Sequence, residues 1–340
     1  MRIVAVADKF RGTATAIEVT AAITEACRTL GHDATAIPLA DGGEGTLDVL
    51  GGANQHTTVT GPLGDPIECA WRLSGDTAVI ESARVCGLDI VGGAEHNDPV
   101  AASTFGVGEL IDNALRRGAK HITVTVGGSA TTDGGLGALS ALGSPHRFRG
   151  VRVIVACDVR TRFTDAARVF GPQKGATPAQ VSWLTGRLEQ LAARYRQHHG
   201  VDVTELIGAG AAGGLAGGLA ALGATLRPGF DVVSDALDLP DLIEQADLVI
   251  TGEGRLDAAS FEGKVVGGVC ELGAELRVPV AIVAGDIDRA QCPAALGRAM
   301  VSLTEQFGPQ RAMTATVECI AAAIPGVIEH AQRRHSAARS

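Results

Sequence analysis

Short apolar runs that each stop at a polar or glycine-rich patch are the feature that most restricts the fold of this chain. The four clearest runs are RIVAVA (2–7) before Asp8, ATAIPLA (34–40) before Asp41, DLVIT (247–251) before Gly252 and Glu253, and VPVAIVA (278–284) before Gly285 and Asp286. Helix-like stretches follow several such runs, and this alternation is typical of a parallel α/β architecture. Ligands of open α/β sheets bind outside the carboxyl ends of the strands, so the residues at these ends are candidate site residues.

The first pair of runs is separated from the last pair by about 200 residues, which contain strand and helix patterns of their own. HITVTV (121–126) and VRVIVA (151–156) are predicted to be buried strands, and 105–118 to be an amphipathic helix. We therefore predict one domain from residues 1–56 plus 244–340, interrupted by an inserted α/β domain at 57–243. The active site is expected in the cleft between them.

Charge and cysteine content exclude several classes of protein. The 29 Lys and Arg against 38 Asp and Glu give a net charge of −9, without a basic run, so neither nucleic acid nor a membrane surface is an expected partner. The uncharged stretch 208–226 is rich in Gly and Ala, which favours a closely packed buried helix over a membrane span. Seven scattered cysteines without a C-x-x-C pair indicate free thiols and a cytoplasmic protein.

Two glycine-rich motifs could bind anions. The chain has 45 glycines in 340 residues, about twice the ordinary share of ~7%, and many of them cluster. ADGGEGT (40–46) places Asp41 and Glu44 around adjacent glycines, and GGSATTDGGLG (127–137) follows a predicted strand. Glycine lets the backbone N–H groups approach an anion closely, and a helix that starts near Gly135 would direct its positive end at phosphate oxygens. An ordinary tight turn and a helix N-cap are the structural alternatives.

A third motif combines charges of both signs. TGEGRLD (251–257) carries Glu253, Arg255 and Asp257, and Lys264 follows. These side chains could hold a carboxylate substrate and its transferable group, or could form only a surface ion network. Lys174 in FGPQKGA (170–176) is interpreted as a solvated side chain rather than as a phosphate ligand.

Two further patterns argue against common nucleotide sites. The chain contains no G-x-x-x-x-G-K-[ST] sequence, which excludes a standard P-loop. GAGAAG (208–213) matches G-x-G-x-x-G, but neither the preceding strand nor the following acidic residue of a dinucleotide site is convincing.

In this order, ADGGEGT, GGSATTDGGLG, FGPQKGA, GAGAAGG and TGEGRLD resemble the motifs of the bacterial glycerate kinase family, the type without a P-loop. The start DKFRGT is similar to that family's D-S-F-K-G-[ST], and the resemblance runs from about residue 1 to 325. It implies a flavodoxin-like (Rossmann-like) parallel-sheet domain interrupted by a second α/β domain. It also implies ATP- and Mg²⁺-dependent phosphorylation of D-glycerate to 2- or 3-phosphoglycerate.

The resemblance, with the chemistry of phosphoryl transfer, implies roles for three sets of residues. The expected nucleotide-binding residues are Gly127, Gly128, Ser129, Thr131, Asp133, Gly210 and Gly213. The expected catalytic and substrate-binding residues are Asp8, Arg11, Asp41, Glu44, Glu253, Arg255, Asp257 and Lys264, with Asp41 and Asp257 as metal ligands. Which of the acids is the general base stays open.

The chain departs from the family at three places. Lys9 and Arg11 stand where Ser and Lys are usual, the segment between Gly143 and Val151 is short, and the Asn-Pro-Leu that usually follows VACDV is replaced by RTRFTDAARV. Arg160 and Arg162 in that segment could indicate a different hydroxy-acid acceptor, or a catalytically inactive nucleotide- or metabolite-binding regulator. A homodimer is also left open.

Overall fold

The computed structural model describes residues 1–261, 263–292 and 300–337, and the chain divides into two compact units. The first unit is Met1–Asp41 with Phe230–Ser340, and the second is Gly42–Gly229. This division differs from the boundaries predicted at 56/57 and 243/244. Residues after Gly42 belong to the second unit because Glu81 accepts hydrogen bonds from the Gly45 and Leu47 N–H groups. Residues after Phe230 belong to the first because its ring packs on Gly268.

The strands alternate with helices for most of the chain. The strands are β1 (Arg2–Ala7), β2 (Asp33–Pro38), β3 (Gln55–Thr60), β4 (Pro66–Ser74), β5 (Thr77–Glu81), β6 (His121–Thr125), β7 (Arg152–Ala156), β8 (Thr225–Arg227), β9 (Leu248–Leu256), β10 (Val280–Ile287) and β11 (Met300–Ser302). The helices are α1 (Ala16–Thr29), α2 (Thr46–Val49), α3 (Ala83–Cys86), α4 (Phe105–Arg116), α5 (Leu136–Leu142), α6 (Ala166–Phe170), α7 (Pro178–His199), α8 (Leu215–Ala221), α9 (Gly229–Ala236), α10 (Leu239–Glu244), α11 (Val265–Leu276), α12 (Leu303–Phe307), α13 (Pro309–Thr314) and α14 (Thr316–Ala337).

The first unit contains a five-stranded parallel sheet in the order β11-β10-β9-β1-β2. Counted along this unit alone, the order is 2-1-3-4-5, which is the flavodoxin-like arrangement. Helices α1 and α14 bury apolar side chains against the sheet, among them Val19, Ile23 and Ile324. The strand order reverses between β1 and β9, and such a switch point is where flavodoxin-like proteins bind ligands.

The second unit contains a six-stranded mixed sheet in the order β3-β4-β5-β6-β7-β8. The pairs β3/β4 and β4/β5 are antiparallel, whereas β5 to β8 run parallel. Its core contains the fully buried Trp71, Ile80 and Ile122, and a second apolar cluster forms around Phe163 and Tyr195 beneath α7. The mixed α/β fold class with parallel sheets is therefore confirmed.

Local sequence accounts for several features of the structure. Thr177 caps α7 with a capping box, and α7 ends at Gly200 in the left-handed conformation. The Gly- and Ala-rich stretch near α8 is buried, and none of the described helices is long and apolar enough to cross a membrane. Helix α14 continues through Pro325. The strand predicted at 247–251 is longer than expected, because β9 continues through Glu253 and Arg255 to Leu256.

Candidate active site

An acidic cluster lies at the switch point of the first sheet. β1 ends at Ala7, which pairs with Gly252, while β9 continues beside β10 as far as Leu256. Asp8 therefore lies immediately beyond β1, and Glu253 lies on the strand next to it. The electrostatic influence of Asp41 reaches both carboxylates, and that of Asp257 reaches Glu253. The structure thus brings together four of the acids that the sequence predicts.

Burial and mutual repulsion keep protons on this cluster. Desolvation, followed by the nearby Asp41, raises the pKa of Asp8 to about 7, although the Lys9 N–H donates to its Oδ1 at 2.7 Å. Desolvation also raises the pKa of Glu253 to about 7, against the opposing effects of the Ser260 hydroxyl and Lys264. Glu253 Oε1 is buried without a hydrogen-bond partner among the described residues. Both acids are therefore disposed to bind a cation or a proton at neutral pH.

The turn after β9 positions Asp257. Its N–H donates to Ser260 Oγ at 3.0 Å, and its Oδ1 accepts from the Ala259 N–H at 2.9 Å. Lys264 is the N-cap residue of α11, and the backbone of the 258–261 turn packs closely on Gly267. Ser260 is a buried residue of this cluster that the sequence analysis did not identify, because nothing in the sequence separates it from an ordinary loop serine.

The two arginines predicted here are exposed. The Arg11 backbone lies against Gly254, since a Cβ on that glycine would be 3.2 Å from the Arg11 nitrogen, and its side chain reaches solvent. Arg255 is exposed on β9 opposite Asp286 of β10. Their guanidinium groups are therefore accessible to an anionic ligand.

The glycine-rich loop 127–137 of the second unit follows β6. The Gly128 carbonyl accepts from Leu88 N–H, and the Ala130 N–H donates to the Cys86 carbonyl, both at 2.8 Å. The N–H groups of Gly127, Gly128 and Ser129 donate no hydrogen bond to the described residues, and a Cβ on Gly127 would meet only Gly43 Cα, at 3.4 Å. This part of the loop therefore offers N–H donors to an anion.

Asp133 holds the second half of the loop in place. It is almost fully buried, and its carboxylate accepts from Thr104 N–H at 2.9 Å, Gly135 N–H at 3.0 Å and Gly137 N–H at 3.1 Å, and from the Thr104 hydroxyl. These bonds fix the start of α5. Thr131 is also fully buried, close to Cys86, and its carbonyl accepts from Lys174 Nζ. Both residues, predicted to bind nucleotide, thus support the loop from within.

Lys174 underlies this loop. Only 3% of the residue is exposed, and Nζ donates to Ser129 Oγ at 2.9 Å and to the Thr131 carbonyl at 2.6 Å. Desolvation lowers the pKa of the ammonium group to about 8. Asn97 Nδ2 donates to the carbonyls of both Ala130 and Lys174, which ties the loop to this turn. The interpretation of Lys174 as a solvated side chain is wrong, because the turn that carries it folds inward beneath the loop.

The glycines of the 208–214 turn have a packing role. A Cβ on Gly210 would overlap the Arg162 carbonyl, and one on Gly213 would overlap the Thr131 carbonyl. Gly213, at φ +66°, also accepts from the Gly134 N–H at 3.0 Å. The requirement for glycine at these two positions follows from the contact between two backbone segments, without reference to a ligand.

Glu81 organises the ADGGEGT segment. The side chain is 2% exposed at the end of β5, and its two oxygens accept from the Gly45 and Leu47 N–H groups, each at 3.1 Å. Glu81 therefore caps α2, a role that the sequence analysis missed because the partners are more than 30 residues apart. Glu44 is exposed in the same segment.

Arg162 has a packing role in the second unit. Its guanidinium donates to the Thr204 carbonyl at 3.3 Å, and its own carbonyl lies against Gly210. Arg160 is exposed. The altered segment after Cys157 is therefore partly accounted for by packing of the 208–214 turn.

No group of three or more Asp, Glu, His or Cys among the described residues forms a ready-made metal cage. This donor set suits Mg²⁺, which usually retains water and binds through one or two carboxylates together with substrate phosphates. The buried Glu253 Oε1 without a partner and the raised pKa values of Asp8 and Glu253 fit a site that gains a cation with its substrate.

Known proteins are similar to this chain over most of its length. A model of the glycerate kinase family matches residues 3–147 and 144–332. Glycerate 2-kinase of Escherichia coli K12 is 39% identical over 327 residues, which cover 84% of this chain and 86% of that protein. Glycerate kinase of Bacillus subtilis 168 is 37% identical, with coverages of 85% and 86%. A crystal structure from Salmonella typhimurium LT2, named glycerate kinase 2, is 34% identical, covers 99% of both chains and has a TM-score of 0.81.

Proposed function

Because the chain belongs to the glycerate kinase family, we propose that it transfers the terminal phosphoryl group of ATP to a hydroxyl group of D-glycerate, with Mg²⁺. The observation that carries this proposal is the cluster of Asp8, Asp41, Glu253 and Asp257 at the flavodoxin-like switch point. Acids that influence one another electrostatically at a ligand-binding edge are expected to hold a cation and a hydroxyl group.

We assign the nucleotide phosphates to the N–H groups of Gly127, Gly128 and Ser129. The Ser129 hydroxyl accepts from Lys174, so its own proton remains available to a phosphate oxygen. The Lys174 ammonium fixes the loop and adds positive charge beneath it. Preorganised donors of this kind stabilise the charge that develops during phosphoryl transfer.

We assign Mg²⁺ to Asp41 and Asp257. When bound, it neutralises charge on the phosphates. Asp257 Oδ1 is held by the Ala259 N–H, and this bond orients its carboxylate.

Glu253 is our choice for the proton acceptor of the glycerate hydroxyl. Its Oε1 has no protein partner among the described residues, and a pKa of about 7 suits proton transfer at neutral pH. Arg11, Arg255 and Lys264 would hold the glycerate carboxylate, since guanidinium and ammonium groups bind carboxylates by charge-assisted hydrogen bonds.

One assay tests the proposal. Purified protein is incubated with Mg-ATP and a panel of hydroxy acids, ADP release is followed, and phosphorus NMR identifies the phosphorylated hydroxyl. We expect turnover with D-glycerate. Turnover only with another hydroxy acid would identify a different acceptor, and ATP binding without any turnover would identify a regulator.

We further propose that the protein works in the cytoplasm. All seven cysteines are free thiols, as expected of a reducing compartment.

A further inference from the structure

A pocket of about 330 Å³ lies in the second unit, beside the end of α7. Leu136 and Leu139 of α5, with Leu222 after α8, form its apolar side, and Arg194, His198 and His199 of α7 form its basic side. Its volume falls within the ~300–1,000 Å³ range of small-molecule sites. None of these residues has a role in the proposed reaction.

The side chains described at this pocket that can carry a charge near neutral pH are basic. No Asp or Glu of the described part of the chain lines it, although acids outnumber bases in the whole sequence by 38 to 29. Arg194 forms no ion pair or hydrogen bond with the described residues, whereas Arg196, two positions along the same helix, pairs with Asp202. Similarly, Arg187 on this helix donates to the Val100 carbonyl. Arg194 is thus an arginine of α7 whose charge the described protein residues leave unpaired.

Basic residues at a helix C-terminus also complement the helix dipole, and His198 and His199 lie in the last turn of α7. Arg194 lies before that last turn, beyond the range at which the dipole acts. Capping of the helix therefore accounts for the two histidines but leaves the position of Arg194 in the pocket unexplained.

We propose that this pocket binds a small organic anion, with its carboxylate or phosphate group against Arg194 and His198 and its carbon skeleton against Leu136, Leu139 and Leu222. A guanidinium group binds either head group by charge-assisted hydrogen bonds, and the leucines favour a molecule with an apolar body.

The pocket is connected to the glycine-rich loop. Tyr195 is one of the residues that line the pocket, and its hydroxyl donates to the Gly134 carbonyl at 2.9 Å. Helix α5, which forms the apolar wall, begins directly after Gly135. An anion that restrains α5 and Tyr195 therefore also restrains loop 127–137, and by reciprocity it changes the affinity of that loop for nucleotide. Only this coupling rests on the proposed function.

Calorimetric titration of the full chain with benzoate, phenyl phosphate and uncharged benzyl alcohol tests the site. We expect one or both anions to bind with a stoichiometry near one per chain, and benzyl alcohol to bind at least tenfold more weakly. The double variant Arg194→Ala/His198→Ala should lose roughly tenfold or more in anion affinity. Arg196→Ala, which removes the same charge from the same helix outside the pocket, should retain wild-type affinity.

Unaltered binding in the double variant would overturn the site, because the anion would then occupy another region such as loop 127–137. Absence of binding by both anions would overturn it as well. The ratio of benzoate to phenyl phosphate affinity identifies the preferred head group.

The coupling is tested by the dissociation constant of ATP with and without saturating anion. We expect a change of about fivefold or more in the wild type and none in Tyr195→Phe, which keeps the ring but lacks the hydroxyl bonded to Gly134. An equal effect in both proteins would overturn this route. Failure of the wild type to bind ATP would contradict the proposed kinase function and leave the anion titrations valid.

Discussion

The acidic cluster of the first unit and the glycine-rich loop of the second differ in how far protein groups compensate their buried charges. In the loop, the buried charges are hydrogen-bonded by protein groups: Asp133 accepts from Thr104, Gly135 and Gly137, and Lys174 donates to Ser129 and Thr131. In the cluster, burial raises the pKa values of Asp8 and Glu253 to about 7, and Glu253 Oε1 has no partner among the described residues.

This difference indicates that the loop contributes a fixed geometry, whereas the cluster contributes uncompensated charge. A loop with satisfied charges can keep its N–H groups aimed in fixed directions before any ligand arrives. A cluster of acids with unsatisfied charge is stable when its members are protonated, at a pH below their pKa values, or with a cation bound. We therefore expect substitutions in the loop to change geometry and affinity, and substitutions in the cluster to change protonation and chemistry.

Removing the proton acceptor should give the largest effect. Glu253→Gln keeps the size and polarity of the side chain but cannot take up a proton, so kcat should fall about 10³-fold with the fold retained. Asp33→Asn, at the amino-terminal start of β2, is the matched control and should be near wild type. Near-normal turnover of Glu253→Gln in the ADP-release assay would reassign the base, with Asp8 as the next candidate.

Lys174→Met should lower kcat/KM for ATP by about 100-fold, because Ser129 and the Thr131 carbonyl lose their donor and the loop loses its fixed geometry. The wild-type rate should also decline above about pH 8, where the ammonium group loses its proton. Lys120→Met, on an exposed lysine of the same unit, is the control. A pH–rate profile tests the assignment: the alkaline decline should disappear in Lys174→Met, whereas a decline caused by another group would remain.

Two glycine substitutions separate packing from ligand contact. Gly213→Ala forces a Cβ into the Thr131 carbonyl at a residue with φ +66°, so it should lower the unfolding free energy by about 2–3 kcal/mol. Gly127→Ala has room, and it should change stability by less than about 0.5 kcal/mol while weakening ATP binding roughly fivefold. Denaturant unfolding and ATP titration measure the two quantities. Equal loss of stability in both variants would contradict the distinction.

The smallest effect concerns the dependence of stability on pH. The pKa of Glu253 is about 7 in the folded protein and ~4.3 in an unfolded chain, so the folded state binds more protons between these values. Its stability should therefore fall as pH rises from about 4 to 7 and stay lowered above that range. Glu253→Gln should melt a few degrees above wild type at pH 8 but close to it at pH 4. A constant difference at both pH values in thermal melts would contradict the buried charge.

Much of the fold follows from local sequence signals. The parallel strands, the α7 capping box and the Gly200 stop depend on apolar runs and capping residues that lie close together in sequence. The length of β9 does not follow from local signals, because Glu253 and Arg255 extend this strand only through pairing with β10. The predicted cleft between the domains stays a prediction.

The candidate site was predictable where a residue type has few alternative uses. Carboxylates at strand ends were found because the switch point gathers strand ends. The residues that support the site were not predictable. Glu81 binds Leu47 across 34 residues of sequence, and Lys174 binds Ser129 across 45. Local sequence patterns do not reveal contacts between residues so far apart. Gly210 and Gly213 were predicted for a ligand, although contact between two backbone segments explains glycine there.

The discontinuity of the first unit has a consequence for the order of folding during synthesis. Strands β1 and β2 leave the ribosome early, but β1 pairs on its other side with β9, which begins only at Leu248. At typical synthesis rates of about 5–20 residues per second, the first two strands wait roughly 10–40 s for that partner. The contiguous second unit can complete its six-stranded sheet within this interval. The waiting segment, in which every residue from Ile3 to Ala7 is buried in the folded protein, is therefore the part of the nascent chain most in need of protection from aggregation.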